Sequence, residues 1–588
     1  MPSVSVQLDE LAPLSPPKAR LRIGVIVNSP LVPKWAQHIL TEIDGSCFGQ
    51  LTLIARLRRS PAISATESVR LRDEPVLFRL WRELDQRFFA RRCARPEIFQ
   101  PVAFSPHYDC PAQLECEGIE TGAGLSLSPP DLSTIRDFQL DVLIDLTNGL
   151  TQEELVTAAH HGTWSLGDAQ QSIASLFWVL FRGDSVLRNT VDIRKDGRVY
   201  RSQPGSWSAV DRLSLFRNAS NLYWNKSELI LRQLANLHRD SLESFADSLP
   251  TQRADVHAVP TDFQVVRLLA RLVGRAAKEQ FTKRFLREDW FLAFRKISEE
   301  PAASHALFTR MCPPRGHFYA DPFVFDRDGK TYIFFEDYSY DSRKAVISCV
   351  ELDDRGSCSE PFLALDEEFH LSYPQVFEWD GEIYLLPETK NNGTIQLYRA
   401  THFPYGWQLA HVLLRDVSAV DSTLFHHNGK FWLFTSGLGT EDPWFDADGE
   451  LSLFFSDSLF GPWTPHPRNP IVSDVRGCRC AGQLFFRDGQ LIRPAQDCSK
   501  VYGYAVTLNR VDTLSETAYH ETPISSLPPD WMKGNRGTHT YNRSSTYEAL
   551  DGRTLIARHW PRPSIPRIKS TLTAMPELTW AWNNDHDD

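Results

Sequence analysis

The carboxyl-terminal half of the chain repeats one pattern of apolar and polar positions five times. Each copy has a short apolar strand, an Asp-Gly or Asn-Gly pair, and a second strand rich in aromatic residues. The glycines of these pairs are Gly329, Gly381, Gly429, Gly489 and Gly552, at intervals of 52, 48, 60 and 63 residues. Such a pair between apolar runs predicts a β-hairpin, because both turn positions need positive φ. Recurrence at this period predicts a five-bladed β-propeller with one four-stranded sheet per repeat.

The amino-terminal half has a different pattern. Residues 21–28 form a near-continuous apolar run that ends at polar residues, as in a buried parallel strand. Residues 33–43 then place apolar side chains at helical spacing, and residues 51–55 form a second apolar run. Residues 140–146 predict a further central strand. This order predicts a βαβ unit within an open, Rossmann-type α/β sheet.

Polar residues follow two of these predicted strands. Ligands in open α/β sheets bind beyond the carboxyl ends of the strands. We therefore expect Asn28, Ser29, Asn148 and the loop of residues 160–168 to surround any ligand crevice in this half.

The fold class expected for the whole chain is multidomain, α/β plus all-β. Residues 262–297 have a strongly helical pattern that is rich in Arg and Lys, which predicts a helical connector. The predicted divisions are a flexible tail at 1–20, an α/β domain at 21–245, the connector at 246–300 and the propeller at 301–588.

Composition narrows the class of partner and the compartment. The net charge of -11 argues against a nucleic-acid partner, which usually needs a basic face. No apolar run approaches the ~20 residues that span a bilayer, and the first twenty residues lack the features of a signal peptide. The ten cysteines show no zinc-binding spacing. We therefore expect a cytoplasmic protein with reduced thiols and no transmembrane segment.

The predicted propeller carries an ordered set of motifs that resembles a known family. The set includes His317-Phe-Tyr-Ala-Asp-Pro-Phe, Tyr384-Leu-Leu-Pro-Glu-Thr, Val420-Asp-Ser-Thr-Leu-Phe and Arg493-Pro-Ala-Gln-Asp-Cys. Together they resemble the propeller region of glucosamine inositolphosphorylceramide transferases and their bacterial relatives, which is similar to glycoside hydrolase family 43. The resemblance implies a carbohydrate-active enzyme with a carbohydrate or glycoconjugate substrate.

Glycoside hydrolysis needs one carboxyl group that protonates the leaving oxygen and another that activates water or attacks the sugar. By the resemblance, Asp321 before Pro322 matches the base, and Asp421 matches the aspartate that tunes the pKa of the acid. Blade four begins at Arg479-Cys-Ala-Gly and has no carboxylate where the family has its acid. The residues that we consider as replacements are Glu388, which we group with the catalytic pair, and Glu336, Asp337 and Asp497.

The remaining candidates are substrate contacts. His539 matches a blade-five histidine that lies near the propeller axis in the family, sometimes beside a bound calcium. We expect no required cofactor, and the resemblance implies a place for a structural calcium near the axis. The predicted substrate-binding set is Glu336, Asp337, Arg493, Gln496, Asp497, His539 and Tyr541.

The amino-terminal half resembles the formyltransferase fold. The resemblance rests on the strand Leu140-Asp-Val-Leu-Ile-Asp-Leu and on the later His160-His-Gly-Thr-Trp stretch. Active formyltransferases carry an Asn-x-His element with a downstream Asp, and this stretch has no Asn before a His at that spacing. The resemblance therefore implies a degenerate formyltransferase-like domain.

Three functions remain open from the sequence. The leading hypothesis is an enzyme that makes or breaks a glycosidic linkage of an intracellular glycoconjugate or activated sugar in the propeller funnel. The second is a sugar-modifying transferase, formyl or glycosyl, that uses the amino-terminal domain. The third is a glycan-binding protein without catalysis.

Overall fold

A computed structural model describes residues 18–59, 75–93, 95–104, 111–121, 124–147, 150, 155–166, 173–203, 205–242, 246–249, 258–297, 308–353, 356–438 and 449–558. Two compact units result, and the division between them falls inside one helix, between Ala277 and Lys278. No helix among the described residues is long and apolar enough to cross a membrane. The cytoplasmic location stays a prediction.

The first unit is an α/β unit whose largest sheet has nine strands. Its strands are β1 (Leu21–Val27), β2 (Leu31–Pro33), β3 (Gly49–Arg59), β4 (Pro101–Ala103), β5 (Ala112–Thr121), β6 (Gly124–Leu127), β7 (Val142–Asp145), β8 (Thr163–Ser165), β9 (Val186–Asn189), β10 (Asp192–Lys195), β11 (Arg198–Ser202), β12 (Ser206–Ala209) and β13 (Ala246–Leu249). The helices are α1 (Lys34–Gly45), α2 (Val76–Phe89), α3 (Pro129–Asp137), α4 (Ile173–Arg182), α5 (Leu215–Arg239) and α6 (Asp262–Phe285), of which α6 continues into the second unit.

The centre of the large sheet is parallel. Its order is β13-β11-β10-β8-β7-β1-β3-β5-β6, and β8, β7, β1, β3 and β5 run parallel to one another. The open α/β sheet predicted from the apolar runs is confirmed. Since the chain passes from β1 to β3 on one side and later returns to β7 on the other, the carboxyl ends of β1 and β7 form a topological switch point. Helices α1 and α5 cover one face, where Ile39, Ile43 and Leu234 are fully buried.

The second unit is the five-bladed propeller. Its strands are β14 (Leu286–Lys296), β15 (Thr309–Met311), β16 (His317–Arg327), β17 (Lys330–Ser339), β18 (Lys344–Leu352), β19 (Phe362–Leu365), β20 (Ser372–Trp379), β21 (Glu382–Glu388), β22 (Thr394–His402), β23 (Gly406–Arg415), β24 (Val420–His427), β25 (Lys430–Ser436), β26 (Leu451–Ser456), β27 (Thr464–Pro465), β28 (Arg479–Cys480), β29 (Phe485–Arg487), β30 (Gln490–Asp497), β31 (Ala505–Leu514), β32 (Tyr519–Leu527), β33 (Tyr541–Arg543) and β34 (Tyr547–Ala557). The predicted propeller is confirmed.

The five sheets pack as a closed ring. Blades one to four are β16–β19, β20–β23, β24–β27 and β28–β32, and blade five has the order β33-β34-β14-β15. Four hydrophobic clusters among the described residues each join two neighbouring blades, and a fifth, between blades three and four, also includes Phe323 of blade one and Tyr373 of blade two. The aromatic residues of the repeats supply much of these interfaces, as a propeller core requires.

Four of the five predicted hairpin turns are confirmed. Asp328 and Gly329 have φ of 51° and 74°, and the pairs ending at Gly381, Gly429 and Gly489 have the same conformation. The prediction of a fifth turn was wrong, because Gly552 lies inside β34 and pairs with Phe291 of β14. A Cβ on Gly552 would lie 2.3 Å from the Phe291 ring, so this glycine allows a close approach rather than a turn.

The ring is closed by a strand that precedes the repeats. Strand β14 pairs antiparallel with β34 from Leu286↔Ala557 to Lys296↔Tyr547. The prediction that a helix continues to residue 297 was therefore wrong, since α6 ends at Phe285. The segment expected as a helical connector, 246–300, also begins with β13 of the amino-terminal sheet. Residues 290–294 are all buried, which fits a central strand of blade five better than an amphipathic helix with one exposed face.

Candidate functional site

The first strands of blades one to three begin with the same bulge. The register shifts at Asp321-Pro322, at Tyr373-Pro374 and at Asp421-Ser422. The φ angles of Asp321, Tyr373 and Asp421 are 51°, 47° and 50°. A bulge of this kind redirects its side chain, and Asp tolerates the left-handed region better than most residues. The two predicted aspartates therefore occupy equivalent positions in blades one and three.

The ends of the second strands form a further set of equivalent positions. Opposite the residue before each bulge, Glu336 pairs with Ala320 in blade one and Glu388 with Ser372 in blade two. In blades three and four the equivalent residues are Ser436 and Gln496. Two carboxyl groups, a hydroxyl and an amide thus stand at one level of the ring.

Asp321 is buried and hydrogen-bonded on both carboxylate oxygens. The Thr540 hydroxyl donates to Oδ1 at 2.6 Å, and the Tyr373 N–H donates to Oδ2 at 3.3 Å. His539 Nε2 lies 3.7 Å from Oδ1. Burial raises the pKa of Asp321 to about 7; the His539 charge opposes this rise, and the neighbouring carboxylates add to it. Those carboxylates belong to Glu336, Asp421 and Asp551.

Asp551 anchors His539 behind Asp321. Asp551 is fully buried, accepts the His539 N–H at 2.7 Å and the Thr540 N–H at 3.1 Å, and forms a salt bridge with His539 Nδ1. Burial alone would lower the pKa of His539, but Asp551 and Asp321 outweigh it and raise that pKa to about 9. The ring of His539 stacks on Trp290 at 4.1 Å between centroids. Asp551 was not among the predicted site residues, because its Asp-Gly pair resembled a hairpin turn.

The protonated His539 makes a testable contribution to stability. Its folded pKa lies above the ordinary 6.5, so the contribution is complete below pH 6.5 and is lost as the pH rises through about 9. The shift corresponds to a contribution on the order of 3 kcal/mol. The melting temperature of the wild type should therefore fall more between pH 6.5 and 9 than that of His539→Gln. Parallel losses in the two proteins would contradict this assignment.

Arg479 stands where the family resemblance implies the acid. Its Nε forms an ion pair with Asp421 Oδ2, and the Gln496 amide donates to the same oxygen at 2.9 Å. The guanidinium also lies 4.9 Å from the ring centroid of Tyr502, which is 41% exposed. Asp421 is thus held by a cation and an amide, in contrast to Asp321.

Glu388 is half-buried, whereas the carboxyl groups of Asp321, Glu336 and Asp421 are buried. Its Oε2 accepts the backbone N–H of Asp421 at 3.0 Å. Burial and the adjacent Asp421 carboxylate raise the pKa of Glu388 to about 8, against the opposing charge of Arg479. Glu388 is therefore mostly protonated at neutral pH, the state that a general acid requires.

Glu336 pairs with a histidine that the motifs did not indicate. His370 Nε2 lies 3.3 Å from Glu336 Oε1, and His370 Nδ1 accepts the Ala345 N–H at 3.2 Å. Burial would lower the pKa of His370, but Glu336 reverses that effect, with help from Glu388 and Asp321, so the pKa is raised. His370 lies in the segment between β19 and β20, where no recurring pattern marks it.

Six of the predicted residues form one electrostatically connected cluster: Asp321, Glu336, Glu388, Asp421, Gln496 and His539. The other four are engaged elsewhere. The partners are Glu521 and the Gly477 carbonyl for Arg493, Glu548 for Tyr541, His317 and Ser348 for Asp337, and the Ser499 N–H for Asp497. Arg493 is fully buried, so its guanidinium lies inside blade four and not in the cluster.

Asp321, His539 and Asp551 also form the group nearest to an ion site in the cluster. Their ligand atoms lie within 4.8 Å of one another. Calcium, however, takes six to eight oxygen ligands, and here a protonated imidazole already bridges two carboxylates. The three side chains thus balance much of their own charge, and calcium near the axis stays a prediction.

Comparisons with known proteins bear on the propeller. Residues 299–561 match the family model described as "Glucosamine inositolphosphorylceramide transferase 1, N-terminal". The chain is 37% identical over 247 residues to glucosamine inositolphosphorylceramide transferase 1 of Arabidopsis thaliana, a match that covers 41% of this chain and 31% of that protein. The chain therefore spans about a third of the length of the curated relatives it matches. The resemblance predicted from the propeller motifs is confirmed, and the formyltransferase-like interpretation of the other half stays a prediction.

Solved structures similar to this chain include two glycoside hydrolases. Zg3597, a family 117 glycoside hydrolase of Zobellia galactanivorans, aligns with a TM-score of 0.30 and 14% identity over 45% of this chain and 90% of its own. A thermostable family-43 glycoside hydrolase aligns with a TM-score of 0.28 and 14% identity over 36% of this chain and 76% of its own.

Proposed function

We propose that the propeller funnel makes or breaks a glycosidic linkage of a glycoconjugate or activated sugar. The observation that carries the proposal is one cluster that holds Asp321, Asp421 and Glu388, in which burial and neighbouring carboxylates raise the pKa of both Asp321 and Glu388. Carboxyl groups that lie together and differ in their surroundings are the usual basis of acid and base catalysis at a glycosidic bond.

The geometry supports a role for each of these residues. Glu388 is the general acid, because it holds a proton at neutral pH and is partly exposed. Asp421 tunes Glu388, since its negative charge raises the pKa of Glu388 while Arg479 and Gln496 hold it in position. Asp321 is the base or nucleophile, positioned by Thr540, Tyr373 and the His539–Asp551 pair. Hydrolysis and transfer differ in this scheme only in the acceptor, which is water or a hydroxyl group.

Two features support a sugar as the ligand. Tyr502 is 41% exposed and lies beside Arg479, and aromatic rings suit the apolar side of a sugar ring. The carboxylates and amide around it can accept and donate hydrogen bonds to sugar hydroxyls. The first relatives are named for inositolphosphorylceramide, and a glycolipid of that chemistry is the substrate that we would test first.

The pH dependence of kcat/KM tests this proposal. Activity should rise as Asp321 loses its proton near pH 7 and fall as Glu388 loses its proton near pH 8, which gives a narrow bell. In Asp421→Asn the alkaline limb should move to lower pH, because the charge that raises the pKa of Glu388 is gone. A wild-type profile that is flat between pH 6 and 9 would contradict the assigned acid and base.

A further inference from the structure

The amino-terminal unit contains a separate cavity of about 530 Å³ at the switch point of its sheet. The cavity lies at the carboxyl ends of β1 and β7, where it is lined by Val27, Asn28, Leu146 and Thr147. The predicted crevice residues Asn28 and Ser29 line it, and residues 160–166 of the predicted loop do not. Asn148 and residues 167 and 168 lie outside the described part of the chain. A cavity of this size falls in the range of small-molecule sites.

One wall of the cavity is aromatic. Trp35 contacts Tyr223 at 5.1 Å between ring centroids, Tyr223 contacts Phe99 at 5.4 Å, and Phe99 contacts Phe216 at 5.9 Å. All four rings line the cavity. A continuous aromatic wall favours a flat ring over a branched aliphatic or strongly hydrated ligand.

The cavity also has a polar group in its lining. Asp85 of α2 lines the cavity and is 4% exposed. Its Oδ2 accepts the Phe216 N–H at 2.6 Å and the Ser214 hydroxyl at 3.1 Å, at the amino terminus of α5. Its Oδ1 is buried and has no hydrogen-bond partner among the described residues. An unsatisfied buried carboxylate oxygen is costly, so the Asp85 side chain favours a ligand with a hydrogen-bond donor.

The charges of the lining residues constrain the net charge of the ligand. Among the described lining residues, the charged side chains are Arg82 and Asp85, one turn apart on α2, and their charges balance. A neutral ligand therefore fits better than an anion or a strong cation. We propose that this cavity binds a small, uncharged, planar ring compound that donates an amide-type N–H hydrogen bond to the Asp85 carboxylate.

Two isosteric probes test the proposal on the full chain. Benzamide and acetophenone share the ring and the carbonyl, and only benzamide has N–H groups. Ligand-observed NMR titration at millimolar concentration should show that wild type binds benzamide about tenfold or more tightly than acetophenone, the preference expected for a hydrogen bond to an ionised group. Equal affinities, or no binding of either compound, would overturn the proposal.

Variants assign the preference to Asp85. In Asp85→Asn the side-chain oxygen must accept the hydrogen bonds from the Ser214 hydroxyl and the Phe216 N–H, so the amide N–H₂ takes the place of the free carboxylate oxygen. The affinity for benzamide should therefore fall to that for acetophenone. Ala219→Leu fills the cavity from α5 and should weaken the binding of both probes. This variant gives an independent result if Asp85→Asn fails to fold. Glu83→Gln, on the exposed face of α2, should change neither affinity. A benzamide preference that survives Asp85→Asn would overturn the proposal.

Discussion

Replacing Glu388 with glutamine is expected to lower kcat by roughly 10²- to 10⁴-fold on glycosides with poor leaving groups, the usual contribution of a general acid. Glutamine keeps the shape and can still accept the Asp421 N–H, but it has no proton to give to the leaving oxygen. The loss should shrink on dinitrophenyl glycosides, because their leaving group departs without protonation. A Brønsted plot of kcat against leaving-group pKa measures the difference.

Glu382→Gln is the matched control for this substitution. Glu382 begins the same strand that Glu388 ends, and its side chain is 50% exposed. Its substitution should leave kcat within about twofold of the wild type, since exposed charges contribute little. An equal loss on good and poor leaving groups in Glu388→Gln would mean that Glu388 only positions substrate or supports the funnel.

Replacing Asp321 with asparagine is expected to lower kcat by a similar factor, about 10²- to 10⁴-fold, on good and poor leaving groups alike. Asparagine tolerates the φ of 51° at this position, whereas alanine would add backbone strain to the lost carboxylate. Its amide oxygen can still accept the Thr540 hydroxyl. Binding of a substrate analogue, measured by calorimetry, should change little compared with turnover.

The control for Asp321→Asn is Asp328→Asn. Asp328 has the same φ of 51° in the first hairpin turn, and its side chain is 86% exposed. This variant should match the wild type in both turnover and melting temperature. Undiminished turnover in Asp321→Asn would remove Asp321 from the mechanism.

The fold was largely predictable because the hairpin turns carry a strong local requirement. Four Asp/Asn-Gly pairs have positive φ at both positions, and their spacing gives the blades. Asp551-Gly552 has the same sequence, but its glycine is needed because the Phe291 ring lies close to the backbone. Only tertiary structure distinguishes the two cases. The closing strand β14 was missed for a related reason, since a short buried apolar run fits a strand or a helix end equally well.

The site was predictable where side chains belong to the repeat. Asp321 and Asp421 share one bulge position, and Glu336 and Glu388 share the next strand's end. His370 could not be found in this way because it occupies no repeated position, and Asp551 was missed because its repeated Asp-Gly pair predicted a hairpin turn. Arg493 shows the reverse error: it stands among polar residues in the sequence but is paired with Glu521 inside blade four.

The central claim is that the propeller catalyses chemistry at a glycosidic bond through Asp321 and Glu388. The most direct measurement follows product formation by NMR for the wild type and for the double variant Asp321→Asn/Glu388→Gln. The panel contains aryl glycosides and nucleotide-activated sugars with inositol phosphate acceptors. We expect glycosidic bonds to be broken or formed by the wild type alone, while both proteins bind the sugar. Sugar binding without turnover by the wild type across the panel would contradict the account and favour a glycan-binding protein.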